Sequence, residues 1–359
     1  VTAYELAWYG VDLRTGGIVE DLPALKPSGA LSRKLGASTT LQFDLALAGA
    51  PPEWEAATAP GRSLLVAVDT ATDTPVWAGA VLPRDGGSST SVQLGAATLE
   101  AYLDARFPGT QTMVGVDQAT VLTNLIAPAL TGGGPPFVID ATATGTVMDY
   151  LTDDGDDKTI LSCCQEVMGL DGGPEWTIDV AWNPAHSGFV FPVRIRSAIG
   201  TQSASPEAVF DFPGCVSEYV LSESYERDKG ATRVIARGEG EGSSRLTSTA
   251  REASALLAGG WPVWEYRYTP ATGITDPDQL EAHAAKSLSL MAQGAQVWSV
   301  TAVASVAPRL GRDWGLGDSV RLDVERSPRH PQGTSTVARC WSWELDTGSD
   351  TVRPILVED

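Results

Sequence analysis

The densest group of reactive side chains lies in TDDGDDKTILSCCQEVMGL, residues 152–170, where four aspartates flank a glycine and two adjacent cysteines precede Glu166. Carboxylates and thiols this close could hold a divalent cation or activate a thiolate, so each chemistry has to be tested against its spacing. A calcium loop of the EF-hand kind needs alternating oxygen ligands, glycine at the sixth position and glutamate at the twelfth. Counting from Asp149 or from Asp153 meets neither condition. Zinc wants further thiolates or imidazoles at short spacing, yet Cys215 and Cys340 lie far along the chain, and His186, His283 and His330 are scattered. What the segment does match is a helix: Ile160, Cys163, Cys164, Val167 and Met168 fall at i, i+3, i+4, i+7 and i+8, one buried face. The aspartates precede that stripe, where unpaired amides and the positive dipole end favour negative charge, and are expected to cap it. Both thiols then point into a core, reduced, in a chain with no disulfide framework, and folding in a reducing cytoplasm is expected.

Other chemistry finds less support. There is no Gly-x-Ser-x-Gly elbow and no histidine with an evident partner, and all three histidines read as solvated surface. A glycosidase needs only two carboxylates, but no pair stands out in so acidic a chain. The run GEGEG, residues 238–242, would present Glu239 and Glu241 to a phosphate where a cradle needs bare amides, so it reads as a turn or bulge. The chain has 11 tryptophans; Trp77, Trp298, Trp341 and Trp343 fall in strand patterns and are expected in a core or a subunit interface rather than on a sugar platform. No catalytic, cofactor-binding or metal-ligating residue is nominated, and no cofactor is expected.

The 359 residues, 43% of them hydrophobic, suffice for more than one core. The 45 acidic and 25 basic residues give a net charge of −20, spread along the chain, the opposite of a duplex-binding surface. No stretch is long and apolar enough to span a membrane. The opening VTAYELAWYGVDLRTGG has neither a basic region nor a long apolar run, so no secretory signal is expected, and Val1 reads as an alternative start codon.

The elements that would position these residues follow from periodicity. YELAWYG, TTLQFDLALAG, SLLVAVDTATDTPVWAGAVL and STSVQLGAATLEAYL alternate or run apolar between turns, the pattern of an antiparallel barrel or sandwich. Asp117 then caps a helix with the stripe Val121, Leu122, Leu125 and Ile126, which Pro128 should bend or end. After the cysteine helix come the strands of GGPEWTIDVAW and FVFPVRIRSA, joined by NPAHSG. Further strands follow, then a short helix from Thr249 to Gly259, and the best-signalled helix of all. Asp276 is its N-cap, Pro277 opens it, Gln279 completes a capping box, and its stripe is Leu280, Ala284, Leu288 and Met291. The strands of QVWSVTAVASV, GDSVRLDVERS, STVARCWSWELDT and TVRPILVE close the chain.

Two segments echo each other. GRSLLVAVDTATDTPVWAGAVL and GDSVRLDVERSPRHPQGTSTVARCWSWEL each run glycine, two residues, a strand, a polar loop, and a strand with Val-x-x-Gly or Val-x-x-Cys. If the echo is structural, the chain holds two related β-barrels.

Taken in order, YELAWYGVDLRTGGIVEDLP, VWAGAVLPR, DDKTIL followed by GGPEWTIDVAW, ARGEGEGSSR and GLGDSVRL span almost the whole chain. They resemble the minor tail proteins of long-tailed actinobacterial phages that form the baseplate hub at the tail tip. The resemblance implies a mainly β fold with α+β: two similar small β-barrels, an α+β insert and a further helix-containing domain, as in the trimeric hubs of contractile tails. On that plan residues 1–104 are the first barrel, 105–207 the insert, 208–295 a strand-and-helix domain partly interleaved with the second barrel, and 296–359 the rest of that barrel. It implies a non-enzymatic homotrimer in the virion, assembled in the host cytoplasm, contacting a distal tail protein and a tape measure protein, with a pseudo-sixfold ring around a DNA channel. Two rival expectations are a glycan-binding adhesin using exposed tryptophans or the loops at 183–188 and 326–333, and a cell-wall hydrolase, for which no appended hydrolase motif is seen.

Overall fold

The computed structural model describes residues 4–170, 172–238, 240–270 and 274–358; Val1 and Glu239 lie outside the described residues. The first sheet uses β1 (Leu6–Asp12), β2 (Ile18–Asp21), β3 (Leu25–Pro27), β5 (Thr40–Ala46), β6 (Ser63–Asp69), β7 (Thr74–Asp85) and β8 (Ser91–Thr98), while β4 (Leu31–Lys34) leaves it for another sheet. Short helices α1 (Trp54–Ala57) and α2 (Glu100–Asp104) flank it. Its order is β2-β1-β6-β7-β8-β5-β3, antiparallel throughout. The apolar run of β6 is explained by position, because a strand covered on both faces has no solvent side to make polar. All seven of its residues are buried, with Leu65 and Ala67 in one core and Leu64, Val66 and Val68 in another.

The second of those cores belongs to an α+β layer. Its strands are β9 (Gln111–Asp117), β10 (Phe137–Ala141), β11 (Val147–Thr152), β12 (Glu175–Ile178), β13 (Ala181–Trp182) and β14 (Phe189–Arg196), and its helices are α3 (Gln118–Leu130) and α4 (Ile160–Met168). Asp117 caps α3 as expected, accepting from the Ala119 amide at 2.9 Å, and Val121, Leu122, Leu125 and Ile126 are all buried. Pro128 does not end this helix. The carbonyl of Asn124, which a proline cannot serve, accepts instead from the Gln111 side-chain amide at 3.2 Å.

The cysteine helix lies where expected, but the aspartates do not cap it. Thr159 is its N-cap, accepting from the Ser162 amide at 3.2 Å and donating its hydroxyl to Asp104 at 2.9 Å. The aspartates form a separate 3-10 turn, Asp154–Asp156, capped by Asp153 and left through Asp157 at φ 51°. A hydroxyl at the extended residue just before the first helical turn reaches the orphan amides, whereas carboxylates further upstream do not.

The second large sheet begins with β15 (Val209–Phe212) and β16 (Val216–Ser224). Residues 225–294 then form a small unit with β17 (Arg233–Ala236), β18 (Arg251–Glu252), α5 (Ser254–Ala258), β19 (Glu265–Tyr268) and α6 (Pro277–Met291) around its own core. Asp276 caps α6 by accepting from the Asp278 amide at 2.9 Å; among the described residues Gln279 returns no bond, so the capping box is half made. Helix α5 starts later than expected, because the Glu281 carboxylate takes the Thr249 amide and hydroxyl and β18 pairs with β17. The sheet then resumes with β20 (Ala295–Val303), β21 (Ser319–Val324), β22 (Thr334–Asp346) and β23 (Thr351–Val357), in the order β15-β21-β22-β23-β20-β16, with β4 added on β22.

The sequence echo is structural. The path β6-β7-β8-β5-β3 in the first sheet is matched by β21-β22-β23-β20-β16 in the second, in the same chain order and with the same antiparallel pairing. Each hairpin opens at a left-handed glycine, Gly61 (φ 70°) and Gly317 (φ 80°), whose amides bond Val81 and Cys340 carbonyls at 2.8 and 2.7 Å. Each long strand then shifts register, between Val81 and Arg84 and between Cys340 and Ser342. The motif alignment itself is displaced, however. Leu64 faces Ala80 and Val320 faces Ala338, so Gly79 corresponds to Val337 and not to Cys340. The protein is therefore mainly β with an α+β layer, and the expected barrels are open half-barrels that end in edge strands. One shared core joins them, with Trp8, Phe43 and Trp77 on one side and Phe210, Trp298 and Trp343 on the other.

Candidate functional site

The thiols are structural. Cys163 and Cys164 are fully buried, and burial pushes both pKa values up; burial also pushes Cys215 up to about 12. Among the described residues, no group of three or more His, Cys, Asp or Glu is placed to hold a metal. A maleimide reagent is expected to leave all four cysteines unmodified in the native protein at pH 7 and to label them after denaturation; rapid native labelling of Cys163 or Cys164 would refute their burial.

The histidines differ from one another, and only one matches the solvated reading. His186 is half exposed, stacks on Trp182 and lies 3.0 Å from Asp73. His330 is clasped instead: its Nδ1 is 2.8 Å from the Tyr219 hydroxyl, which also meets Ser327, and its ring stacks on Trp298. His283, on α6, is buried against the end of α4, its Nε2 has no hydrogen-bond partner, and burial lowers its pKa to about 4, only partly offset by the Gly169 backbone carbonyl, which favours the protonated ring. Trp77, Trp298 and Trp343 are core residues, as expected.

Three buried arginines hold the layers together, and none was singled out from sequence. Arg33, on β4, bonds Asp179 at 2.7 Å, Thr177 at 2.7 Å and the Ile178 carbonyl at 2.6 Å, and lies 3.6 Å from Glu100. It thus ties the second sheet to the α+β layer and to the helix after the first sheet. Arg339, on β22, grips Glu175 of β12 with two bonds of 2.8 and 2.6 Å. Arg309, before β21, makes a two-pronged bond of 2.5 Å per prong to Asp69 at the end of β6 and lies 4.1 Å over the Tyr4 ring. Burial raises the Asp69 pKa, but bonds from Arg309, Thr72 and Ala71 outweigh it and hold the carboxyl below its ordinary range.

A cleft of about 880 Å³ opens where these layers meet, lined by Arg33, Arg194, Asp140, Asp179, Asp313 and Asp318 among others. The four carboxylates named are engaged in holding the fold. Asp179 is shared by Arg33 and Arg194, Asp140 pairs with Arg196, Asp318 accepts from the Thr201 amide at 2.6 Å, and Asp313 from the Arg309 amide at 2.7 Å. Such an arrangement fastens layers and leaves these groups committed to each other.

Large apolar side chains meet solvent in several other places, among them Val114, Val147 and Leu151 on β9 and β11. On the small unit, Trp261, Val263 and Trp264 are 40%, 51% and 51% exposed, with Tyr225 packed against both indoles. On the first sheet, Leu82 is 53% exposed within the β7 register shift.

Two like half-barrels, fastened through buried arginines and backed by an α+β layer, define a fold shared with phage tail proteins. The tail protein from Neisseria meningitidis MC58 matches with TM-score 0.60 and 11% identity, over 100% of this chain and 97% of that one. The 43 kDa tail protein of prophage MuSo2 from Shewanella oneidensis gives 0.59 and 10%, over 99% and 98%. Prophage tail protein gp18 from Listeria monocytogenes gives 0.55 and 11%, over 99% and 94%. No protein-family model and no curated protein matches the chain.

Proposed function

We propose that the chain is a non-enzymatic structural protein of the phage tail tip, the trimeric baseplate hub of a long-tailed phage like those of actinobacteria. The observation that carries this reading is the internal duplication: two half-barrels of one topology in each chain make six similar units in three chains, which suits a joint between a sixfold tail tube and a threefold tip. The same reading divides the chain at 1–104, 105–207, 208–295 and 296–359, and supplies a distal tail protein and a tape measure protein as neighbours. The net charge of −20 suits a channel along which DNA slides without adhering, since phosphate finds few cations on which to dwell.

The test is mass and symmetry in solution. Light scattering should return three times the 37.7 kDa of one chain, and class averages of negatively stained particles should show a ring with six lobes around a hole. A monomer at every concentration, or a ring of another symmetry, would remove the hub.

A further inference from the structure

We infer that the outer face of the ribbon formed by β9 and β11 is a docking surface for a cationic, aliphatic segment of another protein, one that sets apolar side chains beside lysine or arginine.

The face is built by alternation along the two strands. On β11, Val147, Asp149 and Leu151 are exposed while Tyr150 and Thr152 are buried; on β9, Met113 is buried while Thr112 and Val114 are exposed. Pairing sets Leu151 across from Thr112 and Val147 across from Asp117, and between these pairs Val114 and Gly115 stand opposite Asp149 in a bulge, with Gly115 at φ 61°. The inner side is taken: Met113 and Tyr150 belong to the core of the α+β layer, together with Val121, Leu122 and Leu125 of α3. Val114, Leu151 and Val147 are 70%, 67% and 65% exposed, the three most exposed large apolar side chains among the described residues. A single such residue is ordinary on a surface, but three on one face of a two-stranded ribbon form a patch.

Charge specifies what covers it. From Phe107 to Asp157 the sequence has seven aspartates and no lysine, arginine or histidine. Asp140 is paired with Arg196, and Asp117 is spent on the amides of Ala119, Thr144 and Gly145. The other five surround the patch. Asp149 lies in its middle, fixed by the Gly115 amide at 2.7 Å, and Asp153, Asp154, Asp156 and Asp157 form the exposed turn that continues β11 past Leu151, fastened to Thr110 through the Asp154 amide at 3.1 Å. The next cation along the chain, Lys158, is paired with Glu166. The complement of such a face is aliphatic and positively charged. Like charge turns away nucleic acid and, at −20, a second copy of this chain. Docking requires the ribbon and not the trimer, so it holds whether or not three copies assemble.

The test uses the full chain and a fluorescein-labelled peptide of leucine and lysine, with a leucine–glutamate peptide as control. Three variants are compared with wild type: Val114→Ser combined with Leu151→Ser; Asp149→Asn combined with Asp154→Asn and Asp157→Asn; and Glu207→Gln combined with Glu218→Gln and Glu325→Gln, which removes the same number of exposed charges elsewhere. The substituted side chains are exposed, and asparagine at 149 keeps an acceptor for the Gly115 amide, so the melting temperatures should match wild type. Anisotropy is expected to show the lysine peptide bound about tenfold or more weakly by each of the first two variants, with the third close to wild type and the glutamate peptide unbound. Hydrogen exchange in wild type should slow on peptide binding at residues 111–117 and 147–152. Equal affinity of wild type and the serine variant, an equal loss in the glutamine variant, or protection confined to other segments would each reduce the attraction to overall charge and overturn the docking face.

Discussion

Replacing Arg309 with methionine is expected to destabilise the protein by about 3–5 kcal/mol, the cost of stranding a buried carboxylate. Asp69 is fully buried, and Arg309 supplies both of its charged bonds. The loss should exceed that from any exposed ion pair, such as Arg353 with Glu344, which contributes at most about 1 kcal/mol. Adding Asp69→Asn to Arg309→Met should recover part of the stability, because the amide oxygen can still accept from the Ala71 amide, its NH2 can donate to the Thr72 hydroxyl, and no charge remains buried. Urea unfolding of the four proteins in the cycle gives the coupling directly. Equal stability of Arg309→Met and wild type would show that this clasp does not hold the halves together.

Stability is expected to fall by about 3 kcal/mol between pH 6.5 and 4 on account of His283 alone, whose ordinary pKa of 6.5 is lowered to about 4 by burial. The sign follows from proton binding: in this window the unfolded chain takes up a proton that the folded histidine refuses, so acid favours unfolding. The His283 contribution is level above pH 6.5 and below the folded value. Asp69 acts lower on the scale and in the same direction, because its folded pKa is depressed and its stabilisation is lost as pH falls through that value. His283→Gln should flatten the profile between pH 6.5 and 4 and leave the lower limb in place. An unchanged slope in the variant would assign the acid sensitivity elsewhere.

What could be read from the sequence was local. Asp117 and Asp276 announce their helices because a cap and its first turn lie within a few residues, and the stripe through Cys163 and Cys164 is visible for the same reason. The hairpin echo was legible too, but its register slipped by three positions because strand residues were aligned by type, whereas the hydrogen bonds count from the glycine. What stayed hidden depends on distant partners. In LSRK, Arg33 looks like a solvated residue on a short polar strand; its partners Thr177, Ile178 and Asp179 lie over 140 residues away. His283 lies on the flank of the α6 stripe, a place that reads as solvated surface, yet a segment over a hundred residues away, at Gly169, covers that side. Four aspartates before a helix have the charge of a cap, but Thr159, a single hydroxyl closer to the turn, holds that role.

The excursion of β4 into the second sheet also bears on how the chain is made. The strand is translated early, and the residues it pairs with, Ser342–Leu345, come almost last. Tyr4 likewise waits for the amide of Leu310, 306 residues on. A nascent N-terminal half emerging from the ribosome therefore has its strands but neither the sheet that receives β4 nor the far wall of its core, and it must hold exposed apolar surface until synthesis is nearly complete. The two halves are alike in topology yet cannot mature in turn: the core they share closes only once β22 is made, although the small unit and the α+β layer have cores of their own, and a polypeptide cut short before β22 has no finished half-barrel to fall back on.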